Sequence, residues 1–513
     1  MASTWAFEAQ GPGSIPGGGA SKKAAIESRT RLESITKGGV LSRLDLVIVL
    51  AAGEGTRMKS TTPKVLHQIA GRSILAHVLS AVSDLDSKEV RVVVGSGKDE
   101  VVKELSGIAP SAKSIYQEVR GGTGHATKLA LESATKSGQV LICAGDTPLL
   151  TSATLVELIN KHQSSGASAT VLTTELPDPF GYGRIVYDTS GELTSIVEER
   201  DASDEIRDIS EINSGVYVFD IDSLNGALAK ISKSNSQGEE YLTDVISILK
   251  GEGKKVATHL ASDFVEILGI NDRAQLADVA SLMRDRINDS LMRSGVTLTD
   301  PASVWIDLDV EISSDVTIEP GVSIRGDSKV ATGAVIGPRT TLIDTEVGAN
   351  AKVFESHCES SKIGARANVG PYSHLRGGSV LADEVKVGSF VEMKNALVGE
   401  GSKVPHLSYV GDAKIGRETN IGAATIFVNY DGVEKHETKV GDHVRIGSDS
   451  MLIAPVTIGD GAYTAAGSVI NEDVPPGALG IGRARQVNIL GWVLKKRKGT
   501  KSAEAAEKKE GSK

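Results

Sequence analysis

IGARANVGPYSHLRGGSVLADEVKVGSFVEM, residues 363–393, places an apolar residue at every sixth position: Ile363, Val369, Leu375, Leu381, Val387 and Met393. Many of them are followed by glycine or another small residue. A six-residue period is neither the 3.6-residue repeat of an amphipathic helix nor the two-residue alternation of a half-buried strand. It predicts a parallel β-helix, in which short flat strands stack into a prism. Three hexads make one triangular turn of 18 residues, and turns stack at the strand spacing of about 4.8 Å. Residues 18 apart therefore lie one above another. The period recurs at Ile446, Leu452, Ile458, Thr464 and Ile470, and earlier at Val310, Val316 and Val322. It slips around Leu397–Val398 and again through residues 425–444. A loop ejected there is expected on the binding face of the array.

N-terminal to the repeats the pattern is different. Between Leu44 and about Gly269, apolar strand-like runs (LDLVIVLAA, EVRVVVGS, QVLICAGD, SATVLTTEL) alternate with helical spacing such as SILAHVLSAVSDL. That alternation predicts an α/β, Rossmann-like domain with a parallel sheet covered on both faces. Ligands in such sheets sit at the carboxyl ends of the strands, where AAGEGT, VVVGSG and CAGDTP fall. Residues 271–293 contain no Gly or Pro, and Leu276, Val279, Leu282, Met283, Ile287 and Leu291 recur at three- and four-residue spacing, as in a connecting helix. The organisation read from the chain is an extension at 1–43, an α/β domain at 44–270, a linker helix at 271–298, a β-helix at 299–492 and a charged tail at 493–513. The extension is rich in Gly, Pro, Ser and charge, and both ends are expected to be disordered.

The 513 residues, 40% of them hydrophobic and 24% charged, suit a soluble protein of several domains. A net charge of −10 argues against a broad grip on nucleic acid. Cys143 and Cys358 form no disulfide framework or metal-ligand spacing. No run approaches the roughly 20 apolar residues of a membrane span. A cytoplasmic location is expected.

LAAGEGTRMKSTTPKVLHQIAG, residues 50–71, is neither a Walker loop nor a dinucleotide fingerprint. Nucleotidyl transfer explains its parts. Gly53 and Gly55 let backbone N–H groups approach a triphosphate, and Arg57 and Lys64 bring positive charge to the departing pyrophosphate. In the repeat region Arg376 and Lys394 are 18 residues apart, each directly after an inward hexad residue. The period stacks these two cations, which repel unless a phosphate lies between them.

G-x-G-T-R, a short spacer and P-K resemble the signature of sugar-phosphate nucleotidylyltransferases. The motifs GGTGHA (121–126), AGDTPLL (144–150), GYGRI (181–185), IVEERDA (196–202), EINSGVYVF (211–219), EEYLTDVI (239–246) and GINDR (269–273) extend the likeness. With them the chain, over residues 44–492, resembles the bacterial bifunctional N-acetylglucosamine-1-phosphate uridylyltransferases/glucosamine-1-phosphate acetyltransferases. The resemblance implies a left-handed β-helix, a homotrimer, and two reactions that end in UDP-N-acetylglucosamine. It implies that Asp146 and Asn271 hold Mg²⁺, a hard cation suited to oxygen ligands. Leu50, Ala52, Gly53, Gln117, Gly122 and Thr123 would receive uridine of UTP, with Gln117 pairing to the donor–acceptor edge of uracil. Gly183, Glu198 and Asn213 would hold N-acetylglucosamine-1-phosphate.

In the second half the resemblance makes His406 the base that deprotonates the glucosamine amine, with Glu392 orienting or polarising it. Arg376, Lys394, Tyr409, Asn420, Asn429, Tyr430 and Lys435 would bind glucosamine-1-phosphate, and Ala423, Ser448, Ala466 and Arg483 would contact acetyl-CoA. HLRGGS and IGAATI depart from common family versions, with Gly377 in place of Pro and Ala424 in place of Gly. The middle of QEVRGGTG also differs. Two other readings compete. The β-helix could serve oligomerisation alone, or His357, His374, His406, His436 and His443 could supply a zinc site.

Overall fold

The structure, a computed structural model, describes residues 43–95 and 97–510; the extension expected at the N-terminus lies outside these, Arg43 apart. The chain forms two compact units, one of residues up to 332 with 341–344, the other of 333–340 and 345 onward.

The main sheet of the first unit has nine strands among the described residues: β1 (Leu46–Ala51), β2 (Val90–Val94), β3 (Lys113–Tyr116), β4 (Gln139–Ala144), β5 (Ala169–Glu175), β6 (Arg184–Tyr187), β7 (Leu193–Val197), β8 (Glu211–Asp220) and β9 (Val256–Leu260). The main path runs β9-β5-β8-β4-β1-β2-β3, with β6 and β7 as a hairpin beside β8. Side chains alternate across it as the pleat requires. Leu46 and Ile48 enter one buried cluster, Val47 and Val49 the other.

The expectation of a wholly parallel sheet needs correction. β1 is parallel to β2 and β4, but β8 is antiparallel to both β4 and β5. A parallel return needs a crossover element. Between β5 and β8 the chain provides only the β6–β7 hairpin and the short helix Asp204–Arg207, so it comes back in the opposite direction. A helix at Arg273–Arg293 follows, capped by Asp272, whose Oδ1 accepts from the Ala274 and Gln275 N–H groups at 2.9 Å. Val279, Met283 and Ile287 are its buried stripe. Val316 and Val322 are buried in the first coils that follow, while Val310 is half-buried.

In the second unit the hexad residues point inward: Ile363, Val369, Leu375, Leu381, Val387 and Met393 are all at most 3% exposed. Short strands stack in parallel register, Lys362–Ile363 on Val380–Leu381 and His374–Leu375 on the start of the longer strand Glu392–Val398. The uniform 18-residue turn does not hold throughout. Glu392 pairs with Tyr409, a 17-residue step, and Ala413 pairs with Thr438, a 25-residue step. The short step arises because Met393 and Val398, both inward, are five residues apart. The long one contains the loop around residues 429–435. The tail expected to lack order carries helices at Trp492–Lys496 and Lys501–Glu510; its Ala, Lys and Glu content favours helix.

One corner of the coils repeats a left-handed backbone. Tyr372, Phe390, Leu407, Ala424, Asp449 and Gly467 all have φ between 54° and 71°. The N–H of each reaches a carbonyl one coil back; that of Ala424 donates to the His406 carbonyl at 3.1 Å. A Cβ in this region costs roughly 1–2 kcal/mol, so the alanine at 424 is a strained choice where glycine fits. Ala424→Gly is expected to raise stability by about 1 kcal/mol. A denaturant midpoint that moves upward at constant slope would bear this out, and an unchanged or lower midpoint would refute it.

Candidate active sites

In the first unit a cavity of about 320 Å³ opens at the carboxyl ends of β1 and β4. Leu50, Ala52, Gly53, Lys64, Gln117, Gly122, Thr123, Asp146, Glu198 and Asn213 line it. The loop after β1 is pressed onto Gly95, where a Cβ would lie 2.4 Å from the Ala52 carbonyl oxygen. The two loop glycines have different reasons. A Cβ on Gly53 would meet nothing within 4 Å, leaving its backbone open to a ligand, whereas one on Gly55 would strike Lys64 Cβ at 2.6 Å. Gly55, at φ 62°, thus seats the lysine.

Lys64 Nζ donates to Asp146 Oδ2 and lies 3.4 Å from Asn271 Oδ1. A carboxylate and a carboxamide oxygen therefore converge on one cation. Arg57 is exposed on the turn Thr56–Met58 and forms no ion pair with a described residue.

At the other end of the cavity, Gly183 O accepts from Asn213 N at 2.9 Å. A Cβ on Gly183 would come within 3.6 Å of both Glu198 Oε2 and Asn213 Cβ. Asn213 Nδ2 donates to the buried Tyr217 hydroxyl at 2.7 Å. Thr243 donates to Glu198 at 3.1 Å, but burial still pushes the Glu198 carboxyl above its usual value of 4.5. A raised acid favours its neutral form in the folded state. Its ionisation lowers stability as pH rises from 4.5 through the folded value, and has no effect below that window. Glu198→Gln is thus expected to melt higher than the wild type at pH 8 and equally at pH 4. A melting-temperature difference independent of pH would refute this.

Gln117 is half-buried, and its carboxamide nitrogen is fully engaged. It donates to the Gly122 carbonyl at 3.2 Å and meets His125 Nδ1 at 3.0 Å. The expectation that it offers both a donor and an acceptor to a base is corrected: only its oxygen remains. Tyr217, Thr243 and Arg120 also line the cavity and were missed as site residues. Tyr217 and Thr243 stand inside the motifs EINSGVYVF and EEYLTDVI, but nothing in their spacing marks them.

In the second unit Arg376 and Lys394 are stacked, Arg376 N donating to the Met393 carbonyl at 2.9 Å. The ejected loop supplies a third cation. Lys435 beside Lys394, together with Arg376, holds the Lys394 ammonium below the usual lysine range. Glu392 accepts from Arg376 Nη1 at 2.8 Å and makes no hydrogen bond or ion pair with His406. The pairing expected between these two is absent because the carboxylate is drawn to the guanidinium. His406 is exposed, and its ring forms no hydrogen bond with a described residue.

Tyr409 hydroxyl and Asn429 Nδ2 would both lie within 2.6 Å of a Cβ on Gly411, so the three crowd one spot. Asn429 Nδ2 donates to Asp412 at 2.5 Å. The loop is internally braced, with Tyr430 donating to the Gly432 carbonyl and His436 pairing with Asp431, both at 2.7 Å. Asn420 bonds through its backbone to Val444 and Ile446, both at 2.9 Å.

Ala423, Ser448, Ala466 and Arg483 follow one line up the coils. Ala423 O accepts from Asp449 N at 2.7 Å, and Ser448 O from Gly467 N at 2.8 Å. A Cβ on Gly447 would meet Ala466 N at 2.5 Å, and one on Gly467 would meet Arg483 Cδ at 3.8 Å. Of the five histidines, His357 and His374 lie ring to ring at 5.2 Å. Among the described residues no three His, Cys, Asp or Glu side chains converge as ligands for a metal.

The fold and the two sites define a nucleotidyltransferase domain followed by a hexapeptide-repeat transferase. Residues 47–210 match the MobA-like NTP transferase domain, and residues 437–472 match the bacterial transferase hexapeptide (six repeats). The Bifunctional protein GlmU of Streptomyces coelicolor is 52% identical over 464 residues, covering 90% of this chain and 96% of the relative. The proteins of that name from Thermobifida fusca and Corynebacterium efficiens are 51% and 50% identical, covering 91% and 90% of this chain and 98% and 96% of their own. The chain belongs to the GlmU family of bifunctional enzymes. It carries uridylyltransferase and acetyltransferase activities of UDP-N-acetylglucosamine synthesis.

Proposed function

We propose that the second unit acetylates glucosamine-1-phosphate with acetyl-CoA and that the cavity of the first unit joins the product to UTP. The convergence of Arg376, Lys394 and Lys435 carries this reading. Glu392 neutralises Arg376, but Lys394 and Lys435 stand side by side, and a sugar phosphate joining them relieves that repulsion. His406 takes a proton from the sugar amine as that amine attacks the acetyl thioester, and coenzyme A leaves as the thiol. Its exposed imidazole, bonded to no described residue, supports that role. Tyr409, Asn429 and Tyr430 surround the sugar, with Asn420 and Glu392 at its margin. Ala423, Ser448, Ala466 and Arg483 form the line along which acetyl-CoA lies.

In the first unit a phosphate oxygen of N-acetylglucosamine-1-phosphate attacks the α-phosphorus of UTP and pyrophosphate departs. Lys64 and Arg57 meet the phosphate charge, while Gly183, Glu198 and Asn213 hold the sugar. Leu50, Ala52, Gly53, Gln117, Gly122 and Thr123 receive the uridine. Asp146 and Asn271 fit Mg²⁺, because their oxygens already converge on a cation and form the oxygen set such an ion prefers. Bound there, it would supply charge stabilisation at the phosphates.

The working form is proposed to be a cytoplasmic homotrimer. Met451 and Val469, in register and each more than 40% exposed, give one prism face an apolar strip suited to a second copy. Among the described residues no helix is long and apolar enough to cross a membrane. The test of the whole reading is thiol release from acetyl-CoA on adding glucosamine-1-phosphate, followed by pyrophosphate release on adding UTP. Absence of the first signal from a folded chain would reduce the β-helix to a scaffold.

A further inference from the structure

The orientation of the Gln117 carboxamide is fixed by chemistry. A backbone carbonyl can only accept, so the group facing the Gly122 oxygen at 3.2 Å is the amide nitrogen. Its other N–H points at His125 Nδ1, 3.0 Å away, and that ring nitrogen must therefore be the acceptor. His125 is neutral in this arrangement, with its proton on Nε2. The ring is seated by Gly121, where a Cβ would lie 2.5 Å from His125 Cγ. Glycine at 121 is what allows the imidazole to reach Gln117. Both amide hydrogens are thereby committed within the protein. Among the described residues no donor reaches Gln117 Oε1, and Gln117 lines the cavity.

A lone acceptor discriminates between pyrimidines. Uracil presents N3–H, a donor, where cytosine presents the N3 lone pair, an acceptor. A carboxamide free to turn over could satisfy either base, with oxygen toward uracil or nitrogen toward cytosine. One pinned by Gly122 and His125 satisfies only uracil, and places two acceptors against each other with cytosine.

We propose that His125 is a specificity-determining positioning residue, which locks Gln117 with its oxygen toward the base and so restricts the cavity to uridine nucleotides. The inference rests on reading this cavity as the UTP site.

The experiment measures kcat/KM for pyrophosphate release with UTP and with CTP, each with N-acetylglucosamine-1-phosphate, using the full chain. His125→Phe keeps a flat ring against Gly121 and removes the acceptor. The preference for UTP over CTP is expected to fall roughly tenfold or more, the usual size of one mispaired buried polar group. His125→Met, which tolerates irregular packing, is expected to give the same fall, and residual pyrophosphate release from UTP by both variants reports that the first unit folds. An unchanged preference in a folded variant, whether or not the overall rate drops, would overturn the inference. A wild type that released no pyrophosphate from either nucleotide would instead remove the reading of the cavity itself.

Discussion

His406→Ala is expected to lose acetyl transfer by roughly 10²- to 10⁴-fold, the range for removal of a general base. The imidazole is exposed and hydrogen-bonds no described residue, so the substitution should leave the coil intact. Its backbone carbonyl, which accepts from Ser408 Oγ and Ala424 N, survives truncation. Uridylyl transfer from pre-acetylated sugar phosphate is expected to be unchanged. The check is thiol release against pyrophosphate release on the same preparation. Equal loss of both would point to unfolding, and loss of neither would leave the β-helix without chemistry.

Asp146→Ala is expected to have the converse effect. It removes one of the two oxygens that meet at Lys64 and leaves that ammonium with only the long contact to Asn271. Uridylyl transfer should fall by roughly 10²- to 10³-fold, the scale for losing one charge-stabilising group at a reacting centre, and the Mg²⁺ concentration for half-maximal rate should rise. Acetyl transfer should not change. A wild-type Mg²⁺ dependence in the variant would dissociate Asp146 from the metal.

Residue periodicity made the architecture legible. Six hexad residues from Ile363 to Met393 are buried in a stack, because a spacing in sequence becomes a direction in space once the coil length is known. Arg376 over Lys394 followed from the same arithmetic. Contacts between distant segments were not legible. Strand β8 turns antiparallel because of what the chain lacks between residues 175 and 211, and no local pattern in EINSGVYVF announces it. Asp146, Asn271 and Lys64 are separated by 82 and 207 residues, and their meeting required family likeness to foresee. Side-chain competition was equally hidden. Glu392 could serve either His406 or Arg376, and only the register between His374 and Glu392 decides which lies nearer.

The left-handed corner also sets the grammar by which this chain can change length. From Tyr372 to Gly467 the corner residues are 18, 17, 17, 25 and 18 positions apart, and the 25-residue interval is the one that carries the braced loop at 429–435. A deletion or duplication that spans one whole interval returns the chain to the same corner, with every inward residue still inward. A change of two or three residues within a flat side would bring residues suited to extended backbone onto the turn and tip apolar side chains outward. New sequence can enter only as complete coils or as excursions that leave and rejoin the prism at a corner. The loop at 429–435 is of the second kind, and a segment added in that way can diversify without disturbing the stack that bears it.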